Sequence, residues 1–290
     1  MTKPTKEILE KYNVLYEKDT DFSSFARLLQ SQWRETKNLP LLKFGNYIQT
    51  NVAKATKANF LTENIQKLVT SEVARAKKDG SLIGEPRIWN NLLSSQPLCF
   101  NLFGELHHDL NLATKYFRQL FPTRVEKVTA VKFEYSPGRG KTEYTGDHSA
   151  FDVFIEYSMA NKKGFIGIEV KYVESLREES KKQAAGTFIK HEKEYSRLTT
   201  ENVFKPNAIE ILKQIPLSQI WRDHLLSIAT QKDYDEGFFV FLFPKGNTHC
   251  QIGVDSYIKR LVSDNEEQSG FYPRHLDDFI NILVQLHNVG

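Results

Sequence analysis

Residues 150–158 (Ala-Phe-Asp-Val-Phe-Ile-Glu-Tyr-Ser) and 165–173 (Phe-Ile-Gly-Ile-Glu-Val-Lys-Tyr-Val) decide how this chain folds. Both stretches are rich in β-branched and aromatic residues. Asn161-Lys162-Lys163-Gly164 between them is turn material, so the pair reads as a β-hairpin. Side chains alternate across a strand. Ile166, Ile168, Val170 and Tyr172 therefore take one face of the second strand, and Gly167, Glu169 and Lys171 the other. Folding about Asn161 and Lys162 predicts Asp152 opposite Lys171, with Glu169 one diagonal away and the three tips within about 4–7 Å. A solvent-accessible edge is expected there, with Lys171 bridging to one of the acids when no metal is bound. Two acids beside a lysine suit a hard divalent cation and a phosphate.

Working outward, Asn101 to Leu120 carries Leu102, Leu106, Leu110, Ala113, Tyr116, Phe117 and Leu120 at helical spacing, and Pro122 closes it. Lys127 to Tyr135 reads as a strand ended by Ser136-Pro137-Gly138. Ser218 to Thr230 reads as a helix with Ser218 as N-cap after Pro216. Gly237 to Phe243 is a continuous apolar run, the mark of a strand buried on both faces. The order is helix, three strands, helix, strand.

Ahead of this core, Asp21 is placed to cap a helix through Glu35. Phe60, Leu61, Ile65, Leu68, Val69 and Val73 form the buried stripe of another, with Lys77, Lys78 and Gly80 at its end. Arg274 to Leu286 reads as a closing amphipathic helix. The expected organisation is a helical region over 1–96 packed on a core of 97–290, with a largely helical, charged insertion at 174–215.

A Glu-x-Lys tripeptide by itself carries little, since Glu35-Thr36-Lys37 and Glu179-Ser180-Lys181 also occur, in polar surroundings. The third copy differs in lying within an apolar strand that directly follows another apolar strand bearing an acid. Phe133-Glu134-Tyr135-Ser136-Pro137-Gly138-Arg139, Ala150-Phe151-Asp152 and Gly167-Ile168-Glu169-Val170-Lys171-Tyr172 together resemble the PD-(D/E)xK phosphodiesterase superfamily, in particular a bacterial restriction-endonuclease-like branch. The resemblance spans about residues 97–245. Phe151 stands where the superfamily name has proline, a position that is often not proline within it.

That resemblance implies an α/β restriction-endonuclease-like core with a mixed sheet, a helical N-terminal extension and a C-terminal helix. It implies a metal-dependent nuclease, a restriction-type endonuclease acting on DNA with Mg2+ or Mn2+. Asp152 and Glu169 would be the ligands, with the Val170 carbonyl as a third, and Lys171 would orient water or phosphate. Glu134, Glu105, Gln219 and Arg222 are auxiliary candidates, each weighed against a plain surface role. Arg139 and Lys141 in the loop 136–148, read as flexible and polar, and Lys181 and Lys182 in the insertion are candidate phosphate contacts. A homodimer is compatible with this reading. The alternative is a nucleic-acid-binding or regulatory protein that keeps the fold without cutting.

Composition narrows the field. With 290 residues and 40% hydrophobic residues the chain can bury a large core, and its net charge of +3 permits nucleic-acid binding without arguing for it. Cys99 and Cys250 are the only cysteines and form no metal-binding cluster, so a cysteine-rich zinc or iron–sulfur site is excluded. Their scarcity fits a reducing cytoplasm. The first residues show no signal-peptide pattern, and the longest apolar run is too short to span a bilayer, so no membrane partner is expected. His107 and His108 point about 100° apart on a helix and His224 has no acidic partner in register, which argues against histidine catalysis.

Overall fold

The computed structural model describes residues 2–80, 83–176 and 180–288. The chain divides into two compact units, Met1–Glu105 with Tyr172–Glu174, and Leu106–Lys171 with Ser175–Gly290. Glu179 of the Glu179-Ser180-Lys181 tripeptide lies outside the described residues.

The second unit is built on five strands in the spatial order β1 to β5: β1 Lys127–Tyr135, β2 Phe151–Met159, β3 Lys162–Val170, β4 Glu236–Phe243 and β5 Phe271–His275. β1, β2 and β3 pair antiparallel, whereas β3–β4 and β4–β5 are parallel. The sheet is therefore mixed, as expected. β5 was not anticipated. Pro273 interrupts its short run and disfavours a strand on sequence grounds, but β5 is an edge strand, where proline is tolerated. Arg274 and His275 consequently belong to this strand, and the closing helix is Leu276–Asn288.

The hairpin register differs from the expected one by two residues. Met159 pairs with Lys162 around a two-residue turn, Ala160-Asn161, with Ala160 in the left-handed region at φ 53°. Positive φ at a two-residue turn matches the twist of the flanking strands, so Lys162, Lys163 and Gly164 extend β3 instead of forming the loop. Val153 then faces Ile168, and continuing that register puts Asp152 opposite Glu169, with Lys171 on the diagonal. An even shift preserves which side chains share a face, so the acids and the lysine remain together.

Both faces of the sheet are covered. Phe154, Phe165, Phe239, Phe241 and Phe271 pack with Trp221 and Leu225 of the helix Ser218–Thr230 and with Phe188 of the insertion helix Lys181–Leu198. On the other face Val153, Ile155, Ile166, Ile168, Val240 and Leu242 are fully buried. Each such side chain contributes about 1.5–3 kcal/mol, and burial on both sides explains the unbroken apolar run of β4. Gly167 is required by close approach, since a Cβ there would meet the Phe151 ring at 2.4 Å.

The expected helix over 101–120 is two helices, Ser95–His108 and Leu110–Leu120. Asp109 ends one and caps the other by accepting from the amides of Asn111 and Leu112, a break hidden by the apolar periodicity on either side. Ser218 is the first residue of its helix instead of its cap. That position falls to Leu217, which makes no side-chain cap bond.

In the first unit the helix Asp21–Thr36 is capped by Thr20, not Asp21. Thr62 and the left-handed Gly80 bound Glu63–Asp79. Leu61 precedes that helix and is 70% exposed, so it leaves the buried stripe formed by Phe60, Ile65, Leu68, Val69 and Val73. Among the described residues no helix is long and apolar enough to cross a membrane.

Candidate active site

Asp152 sits at the start of β2 and Glu169 near the end of β3, where the recorded ladder between them stops at Val153 and Ile168. Beyond that point the Val170 amide donates to Asp152 Oδ2 at 2.7 Å. Lys171 follows directly, its amide bonded to Leu242 O of β4 at 2.8 Å. Its Nζ donates to Glu169 Oε1, also at 2.8 Å, which is the anticipated ion pair. Gln219, on the first turn of the Ser218–Thr230 helix, donates Nε2 to the same Oε1 at 2.7 Å. The end of β3 and the Ser218–Thr230 helix thus meet on one carboxylate.

The site is more enclosed than an accessible edge would be. Glu169 and Lys171 keep only 6% and 8% of their surface, and Asp152 is half-buried. The helix Ser218–Thr230 covers this end of the sheet face, a cover that strand alternation alone does not reveal.

Glu134 stands at the end of β1, between the pairs Phe133–Val153 and Tyr135–Phe151 that flank Asp152. It is held at φ 46°, a left-handed conformation inside a strand that costs roughly 1–3 kcal/mol and recurs at functional sites. Desolvation raises the Asp152 carboxyl well above its ordinary range. Glu169 and Glu134 push it the same way, against Lys171 and the Val170 amide.

Sequence reasoning missed Asp223. It lies one turn beyond Gln219 on the same helix face, and it is 6% exposed, its Oδ2 meeting no hydrogen-bond partner among the described residues. Its carboxyl is raised well above the ordinary value by burial and then by Glu169, while Arg222 and Lys171 oppose the shift. The spacing from Gln219 was the available signal.

Other candidates separate cleanly. The charge of Arg222 acts on Asp223 and Tyr195. Glu105 belongs to the first unit, where Thr62 and Asn64 donate to it. Lys141, Lys181 and Lys182 are exposed and Arg139 is half-buried. Glu156, on the same face of β2 as Asp152, is half-buried between Lys132 at 3.1 Å and the Tyr234 hydroxyl at 2.5 Å.

The loop over 136–148 is pinned, contrary to the flexibility expected of it. Asp147 accepts from the Thr145 and Ser149 hydroxyls, the Ser149 amide and the Tyr195 hydroxyl. Arg197 Nη2 donates to the carbonyls of Thr142, Glu143 and Tyr144. Gly138, at φ 56°, lies so close to Tyr144 that a Cβ would approach its ring at 1.8 Å. Tight turns and two side chains from the insertion helix replace the freedom that a polar, glycine-rich composition suggests.

As for metals, no cluster of three or more His, Cys, Asp or Glu side chains able to hold an ion occurs among the described residues. The donors present are two carboxylates, and the hydrogen bonds among the described residues engage Asp152 through Oδ2 and Glu169 through Oε1. One oxygen of each acid is left for a further partner. Such a pair suits a hard cation that keeps several waters.

A family model described as the PD-(D/E)XK nuclease superfamily matches residues 17–289. The chain belongs to that superfamily. The match runs well beyond the stretch of about 97–245 that carries the motif resemblance, taking in most of the first unit as well as the sheet. No curated protein and no solved structure matches the chain.

Proposed function

We propose that this member of the nuclease superfamily is a divalent-cation-dependent endonuclease that cleaves DNA, in a restriction-type role, with Asp152, Glu169 and Lys171 as its chemical centre. The observation that supports it most is the meeting of two strand-end carboxylates, each with one oxygen outside the hydrogen-bond network, beside a buried ammonium. Asp152, Glu169 and the Val170 carbonyl would hold Mg2+ or Mn2+. Bound there, the ion would polarise a phosphate oxygen, acidify a water and offset charge on the leaving alkoxide, each worth several kcal/mol. Gln219 and Lys171 fix the rotamer of Glu169, so its second oxygen has a defined direction. Lys171 then supplies a point charge for phosphate or a donor that orients the attacking water. Arg139, Lys141, Lys181 and Lys182 would neutralise flanking phosphates, and a homodimer would bring a second such site to the other strand.

Plasmid DNA incubated with the protein and each ion tests this. Nicking that needs Mg2+ or Mn2+ and disappears in Asp152→Ala, Glu169→Ala and Lys171→Ala, with folding retained, is the expected result. Cleavage untouched by all three substitutions refutes the site. The low exposure of Glu169 and Lys171 is the one feature that favours the non-cleaving alternative. Salt-sensitive DNA binding without ion-dependent cleavage would establish it.

A further inference from the structure

Glu169 Oε1 already carries the Lys171 ammonium and the Gln219 amide at 2.8 and 2.7 Å. A divalent cation on the same carboxylate repels that ammonium. At 8% exposure Lys171 is poorly placed to retreat into water, and a buried cation without a counter-charge is strongly unfavourable. Among the acids whose charge Lys171 feels are Asp152, itself read as a cation ligand, and Asp223. Asp223 is suited to take the ammonium: it follows Gln219 by one helical turn on the same face, and its buried Oδ2 has no hydrogen-bond partner among the described residues. An orphaned buried carboxylate oxygen weakens the fold, so its presence calls for a use outside this resting arrangement.

We propose that Asp223 is a positioning residue, the second berth of the Lys171 side chain, which takes the ammonium whenever Glu169 gives it up. The inference rests on the reading of Glu169 as a cation ligand, but the exchange itself can be examined with no ion present. It accounts for a carboxyl that both Glu169 and Lys171 influence while neither satisfies its Oδ2. It also gives the site two arrangements of one lysine, one closed on Glu169 and one leaving Glu169 open.

The test is a double-mutant cycle on the metal-free full chain, read by thermal unfolding. In the wild-type background Asp223→Asn removes an orphaned carboxylate and should raise Tm by about 2–4 °C. In a Glu169→Gln background the proposal moves the Lys171 ammonium onto Asp223, so the same substitution should lower Tm by a similar amount. A shift of the same sign in both backgrounds overturns the proposal, because a merely structural Asp223 has no reason to reverse. Should Glu169→Gln not fold, calorimetric titration of Asp223→Asn with Mn2+ decides: affinity at least about tenfold weaker than wild type is expected, and unchanged affinity overturns it. Cleavage assays on the same proteins keep the two ideas apart. A wild type that binds Mn2+ but cuts nothing defeats the nuclease reading and leaves the sign reversal intact.

Discussion

Two buried groups of acids lie in the second unit, and they are built in opposite ways. Asp147 accepts four hydrogen bonds, from two hydroxyls and the amide of its own loop and from Tyr195. Burial would push its carboxyl up, but those bonds outweigh it and hold the group below its ordinary value. Asp152 and Asp223 receive far less, and burial together with neighbouring acids raises both. A satisfied acid fastens a loop. Acids crowded together at the end of a sheet, with one oxygen orphaned, weaken the fold and keep atoms available for something that binds.

The contrast is most exposed to a comparison of cleavage with stability. Glu169→Ala and Lys171→Ala should each lower ion-dependent DNA cleavage by about 10²–10⁴-fold. If either variant cut at the wild-type rate, the crowded acids would be no more functional than the satisfied one. Next in size, Asp147→Ala strips four donors of their acceptor and should cost about 2–4 kcal/mol in urea unfolding. A midpoint indistinguishable from wild type would mean that the network holds nothing.

Acidity separates the two groups further. The Asp147 carboxyl is lowered from 3.8 in the folded state, so its stabilisation is present above that value and lost as pH falls through the folded value. The Asp223 carboxyl is raised from 3.8, so the stability linked to its protonated form is present below that value and lost as pH rises through the folded one. Unfolding free energies across about pH 3–7 should therefore show the wild-type advantage over Asp147→Asn shrinking on acidification. Asp223→Asn should gain on the wild type as the pH rises. Parallel curves for the two variants would erase the distinction. The smallest effect concerns substrate contact: Arg139→Ala and Lys141→Ala should each reduce the slope of DNA affinity against salt by about 1. An unchanged slope removes that residue from the interface.

Much of this was legible in the chain. β1 could be bounded at Lys127 and Tyr135 because an apolar, β-branched run ends at Ser136-Pro137-Gly138. The face shared by Asp152, Glu169 and Lys171 followed from alternation, which survives an even shift of register. The shift itself escaped because Ala160 takes a left-handed turn conformation that favours Gly or Asn, leaving Lys162 and Lys163 to look like loop. Asp109 was lost inside an apolar periodicity that continues across the break, and β5 behind its proline. Asp223 escaped for a different reason. A carboxylate in a helix reads as solvated until the strand it covers is known, and that packing spans more than fifty residues of sequence between Asp223 and Glu169.

The bond from the Val170 amide to Asp152 Oδ2 gives residue 152 two occupations at once, tying β2 to β3 beyond the last ladder pair and keeping its other oxygen outside the hydrogen bonds among the described residues. Asparagine could perform the first and not the second. If the proposed cleavage were lost in a descendant, pressure to keep an acceptor at this position would remain, while Lys171, whose ammonium must be neutralised at every moment it stays buried, would be free to disappear. In such a lineage the lysine, not the aspartate, records when the chemistry ended.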